Sequence, residues 1–88
     1  MTIKEEFNNL LDKLQLERDE ITLKIHLATM EAKQEFEEAE NQWNGLKTKA
    51  TEIADESVET TDEIIKKAKI VAEELKEAYC RIGKRLAE

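Results

Sequence analysis

His26 is the only histidine and Cys80 the only cysteine among these 88 residues, so the side chains best suited to act as base, nucleophile or ligand each stand alone. No cysteine or acid lies at ligand spacing from His26, which reads as a solvated or flanking residue. A lone cysteine closes no intramolecular disulfide and reads as a reduced thiol. Glu31, Glu35 and Glu38 could share a helix face, but carboxylate-bridged metal bundles add Glu-x-x-His pairs, and none occurs here. The acidic runs Glu35–Glu40 and Asp55–Asp62 lack the glycine and ligand order of a calcium loop. Two glycines in all leave no glycine-rich phosphate loop. The sequence therefore predicts no catalytic, cofactor-binding or metal-binding residue, and a protein that is not an enzyme.

What remains is the scaffold. Charged residues make up 40% of the chain and aromatics 5%, proline is absent, and Ala, Glu, Lys and Leu dominate, as in coiled coils and long helices. Twenty-four positions from Ile3 to Leu86, each three or four apart, carry 21 apolar residues; the exceptions are Arg18, Ser57 and Thr61. Their mean step is about 3.6 residues, the period of a straight α-helix. The stretch Ile21–Met30 (ITLKIHLATM) alternates apolar and polar residues like a strand. It is too short and lacks flanking turn residues, so helix is expected there too. On that helix Leu16, Leu23, Leu27 and Met30 fall nearly opposite the main seam and form a second apolar face, the predicted oligomer interface.

Thr2-Ile3-Lys4-Glu5 is a capping box that opens the first helix. Gly83 suits a cap near the other end. The pairs Glu20–Lys24, Asp62–Lys66, Glu63–Lys67 and Glu77–Arg81 have the favourable i,i+4 orientation. Trp43-Asn44-Gly45, at the midpoint, has the turn chemistry to end a helix and reverse the chain. The expected fold is thus all-α: an antiparallel two-helix hairpin (coiled coil), helix about 3–43, turn about 44–46, helix about 47–84. Each arm would be roughly 60 Å long at 1.5 Å per residue. In that register Phe7 meets Ile82, Leu14 meets Leu75 and Ile25 meets Ile64. Two alternatives stay open. One is a single long helix pairing with a second copy. The other is a further break at Asp55–Thr61, where Thr60-Thr61-Asp62-Glu63 offers another capping box.

Two helices enclose little core, so the hairpin is expected to form a homodimer, a four-helix bundle. Net charge is −7, with 11 acidic and 5 basic residues in 1–44 and 10 against 9 in 45–88. Glu52, Asp55, Glu56, Glu59, Asp62 and Glu63 make an acidic block, and residues 66–85 are mostly basic where charged. Overall acidity points away from nucleic acid as a partner, and no segment has the apolar length of a membrane span. The expected partners are a second copy and another helical protein. The expected location is cytoplasmic.

Trp43-Asn44-Gly45 resembles the Trp-x-Gly turn of small ESAT-like, type VII-secreted helical hairpins, which are dimeric. That likeness implies a secreted interaction protein as the alternative function. Such proteins carry Tyr followed four residues later by Asp or Glu, whereas Tyr79 is followed at that spacing by Gly83. The segments AKQEFEEAENQWNGLKTKA and EELKEAY resemble small bacterial coiled-coil proteins of unknown function. That resemblance implies a cytoplasmic coiled coil and no activity.

Overall fold

The computed structural model describes residues 2–55, 57 and 59–86, with the backbone of 87. Glu56, counted in the acidic block, and Val58 lie outside the described residues. Among the described residues three α-helices form, α1 (Ile3–Lys24), α2 (Met30–Ala54) and α3 (Asp62–Ala87), with a 3-10 turn, Ile25–Leu27, after α1. Among the described residues there is no strand, and the all-α expectation holds.

α1 begins where its capping box puts it, with Thr2 Oγ1 accepting the Glu5 N–H at 3.2 Å. The turn expected at 44–46 is helix instead. α2 runs through Trp43, Asn44 and Gly45 with no positive φ. Trp43 and Leu46, one turn apart, are buried, while Asn44 and Gly45 face solvent. A glycine inside a helix costs only about 1 kcal/mol against alanine. Burying each large apolar side chain contributes about 1.5–3 kcal/mol, so packing outweighs the local turn preference.

The chain reverses inside both predicted arms. Helix 3–43 is interrupted at 25–29, so Ile21–Met30 is only partly α-helix. There Thr29 adopts an extended conformation and its Oγ1 accepts the Ala32 N–H at 3.2 Å, capping α2. Helix 47–84 is interrupted at 55–61, the site of the second capping signal. Asp55 Oδ1 accepts the Ser57 hydroxyl at 2.7 Å and its N–H at 2.9 Å, which holds the carboxyl below the usual aspartate range. Thr61 Oγ1 then accepts the Ile64 N–H at 3.4 Å as α3 opens. Gly83 caps nothing, because α3 continues to Ala87.

Ion pairs between helices fix their directions. Lys69 reaches Glu6 at 3.2 Å, joining the starts of α3 and α1. Arg85 reaches Glu31 at 3.3 Å and Glu35 at 3.0 Å, joining the end of α3 to the start of α2. α1 and α3 are therefore parallel and α2 runs against both. The expected antiparallel register, Phe7 against Ile82, is overturned together with the central turn. Its charge pattern survives: Lys69 and Arg85 of α3 do lie against acids of the first 44 residues.

All three helices share one core. α1 contributes Phe7, Leu14 and Ile21, α2 contributes Ala39, Trp43, Leu46 and Ile53, and α3 adds Ile65, Ala68, Ala72, Leu75, Tyr79 and Ile82. In α1 and α2 these are seam positions. In α3 the seam positions Ala68, Leu75 and Ile82 are buried, but Ile65, Ala72 and Tyr79 take the place of their neighbours Ile64, Val71 and Ala78, leaving Ile64 38% and Val71 40% exposed. α3 packs against both other helices, so its apolar face must be wider than a single seam. The polar exceptions in the seam are now accounted for. Ser57 and Thr61 sit in the connection, and Arg18 faces Glu40 of α2.

Candidate association surface

The four predicted interface residues stay out of the core: Leu16 is 65% exposed, Leu23 75%, Leu27 84% and Met30 75%. Leu16 and Leu23 each lie two residues beyond the buried Leu14 and Ile21. That is about 200° around the helix, so they point away from the bundle. The helical phase ends at Lys24 and does not extend to the other two. Leu27 stands on the 3-10 turn and Met30 opens α2, at the tip where the chain reverses. The structure thus gives an apolar ridge on α1 that ends in an apolar tip. Under the tip, Leu27, Ala28, Ala32 and Leu86 line an open cleft edged by Lys24, Glu31 and Arg85.

A second cleft lies in the other half of the molecule, from the middle of α2 toward its end, and is built by α2 and α3 alone. Gly45, Leu46, Ile64, Ala68 and Val71 form its surface, with Gln42, Lys49 and Lys67 along the edge and a volume of about 420 Å³. Ile64 and Val71 belong to the apolar seam of the sequence, and they are exposed because α3 buries Ile65 and Ala72 beside Ala68 and Leu75 instead.

Inside the bundle a polar group joins the helices. Arg18 donates Nε and Nη2 to the two carboxylate oxygens of Glu40 at 2.6 and 2.7 Å. The hydrogen bond to Glu40, reinforced by its charge, raises the guanidinium above its already high range, against partial burial. Tyr79 is 1% exposed, and its ring lies 6.4 Å from that of Phe36. Burial, then the Glu40 charge, pushes the phenol well above its usual range. The Tyr79 hydroxyl and Glu17 Oε2 are both buried without a hydrogen-bond partner. Sequence reasoning missed this group, and its only signal was Arg18, the one charged residue in the seam.

The residues considered for chemistry are dispersed. His26 is exposed on the 3-10 turn and Cys80 is exposed on α3. Glu31 and Glu35 do share a face, and Arg85 bridges them. Among the described residues no group of three or more His, Cys, Asp or Glu side chains is placed to hold a metal ion. No helix among them is long and apolar enough to cross a membrane. In comparisons with family models, with curated proteins and with solved structures, nothing matches this chain.

Proposed function

We propose that this is a non-enzymatic protein that works by self-association, as a scaffold or helix-binding adaptor, with Leu16, Leu23, Leu27 and Met30 as its contact surface. One observation carries the reading. The main seam is already used inside the chain, yet four large apolar side chains remain 65–84% exposed along one edge and its tip. Their partner is a second copy, and the same face suits a helix of another protein. With three helices per chain, two copies would bring together six rather than the four expected of paired hairpins.

Magnitudes set the strength. Fully burying these four side chains would contribute about 6–12 kcal/mol, at about 1.5–3 kcal/mol each. Association itself costs about 4–15 kcal/mol, so the balance fits micromolar or weaker binding and not an obligate complex. Light scattering across the micromolar to submillimolar range tests it, with mass expected to rise with concentration. Leu23→Asp plus Leu27→Asp should return the mass to one chain at unchanged helicity. If the wild type stays monomeric throughout, or the double substitution changes nothing, the reading is wrong. The secreted alternative rests on a turn at Trp43-Asn44-Gly45, and those residues are helical.

A further inference from the structure

We infer that the connection at 25–29 is a hinge: α1 and α2 straighten there into one helix, and a second copy's α1 takes the vacated place against α2 and α3. This goes beyond the proposed self-association and does not draw on the ridge. The reversal rests on two residues. Ile25 is right-handed helical and Ile25–Leu27 forms a 3-10 turn, so between α1 and α2 only Ala28 (φ −84°, ψ 168°) and Thr29 (φ −67°, ψ 163°) are extended. Glycine first occurs at 45 and proline not at all, so every residue across the connection tolerates helix.

The sequence across the hinge favours the helix that the closed fold interrupts. Alanine, the best helix former, stands at 28, and Leu27 and Met30 flank the extended pair. On an unbroken helix Ile21, Ile25, Ala28 and Ala32 continue one apolar face, at steps of four, three and four. The connection at 55–61 lacks this character, since Asp55 there accepts both the Ser57 N–H and its hydroxyl and holds a turn. Against the merged helix stands one side-chain bond, from the Ala32 N–H to Thr29 Oγ1 at 3.2 Å.

Exchange needs no new complementarity, because the place that receives the second copy's α1 is the one the chain's own α1 fills. Phe7, Leu14 and Ile21 return to the same core. The Lys69–Glu6 pair and the forked Arg18–Glu40 pair re-form between chains. The product is a closed, domain-swapped dimer, each bundle taking α1 from one copy and α2 and α3 from the other. The merged helix, Ile3–Ala54, would be about 78 Å long at 1.5 Å per residue, against 43 Å for the closed chain. A short tether holds the closed chain's own α1 at an effective concentration in the millimolar range, so the exchanged dimer is a minor form below it.

Refolding at millimolar concentration, with equal amounts of isotope-labelled and unlabelled chain, tests this. A carbodiimide couples Lys69 to Glu6, 3.2 Å apart, and mass spectrometry reads the labels of the joined peptides. In the dimer fraction these pairs should carry mixed labels in the proportion of random pairing; in the monomer both halves should carry the same label. Thr29→Ala removes the cap of the closed form at both hinges, about fivefold each, so the dissociation constant of the exchanged dimer should fall by about 25-fold. Met30→Pro should abolish exchange. Proline suits the first position of α2 and Thr29 before it is already extended, whereas a proline inside the merged helix breaks it. Same-label pairs in every fraction, even for Thr29→Ala, or a Met30→Pro chain that exchanges like the wild type, overturn the hinge. Association through the ridge keeps Glu6 and Lys69 of one chain together, so a dimer with same-label pairs alone would retain that reading and remove this one.

Discussion

Gly45→Ala separates a helix at the chain midpoint from a turn there. A turn residue at positive φ would lose stability when a Cβ is added. In the structure Gly45 is exposed, helical and without a positive φ, and its Cβ would meet nothing within 4 Å. Only backbone propensity then changes, and alanine in a helix interior is favoured over glycine by about 0.8–1.0 kcal/mol. For a domain of this size that corresponds to a rise in Tm of about 4–8 °C. Thermal melts followed by circular dichroism, run on dilute protein so that association does not contribute, would measure it. An unchanged or lower Tm would refute the continuous α2 helix and restore a chain reversal at Asn44-Gly45.

Two further predictions concern the interior polar group. Tyr79→Phe removes a buried hydroxyl that has no hydrogen-bond partner, so near pH 7 it should stabilise the fold by up to about 1 kcal/mol. The phenol's folded pKa lies above its ordinary 10.0. The folded state therefore keeps a proton the unfolded chain releases, and stability present below pH 10.0 should fall as pH rises beyond it. Tyr79→Phe should flatten that limb of a pH-dependent denaturation series; an unaltered limb would mean the hydroxyl is solvated. Arg18→Met leaves the part-buried Glu40 carboxylate without its forked donor and should destabilise by about 1–2 kcal/mol in urea titrations. Arg18→Lys, which keeps the charge and loses the fork, should recover only part of that.

Helical class and the buried positions of the first 53 residues were legible because a 3.6 period survives any arrangement of helices. The breaks were harder to read, for the same reason. Ile25, Ala28 and Ala32 keep the seam in step across the first connection, since a link of a few residues can preserve helical phase while the chain reverses. Trp43-Asn44-Gly45 offered the strongest turn chemistry, yet Trp43 and Leu46 bury side by side on one helix, and that tertiary gain outweighs a local preference. The second connection announced itself through Ser57, Thr61 and a capping signal. The buried face of α3 did not, because a helix packed against two others buries more than one seam. The exposed ridge was legible as a second apolar face. The cleft was not, since it exists only once α2 and α3 lie side by side.

Three helices also change what association has to do. A two-helix hairpin has almost no interior, so its folding and its dimerisation would be one event. Here Phe7, Leu14, Leu75 and Ile82 are buried within a single chain, so the fold needs no partner and the ridge is free to bind or not. Folding and assembly should therefore separate. For the wild type, association adds stability only by mass action, about 2.7 kcal/mol when the free partner is at one hundred times its dissociation constant. Its Tm should climb as protein concentration rises. Leu23→Asp plus Leu27→Asp should abolish that climb while leaving the dilute Tm and the helicity where they were. If the double substitution instead melts the helices in dilute solution, those leucines belong to the folding core, and an independently folded three-helix chain is the wrong description.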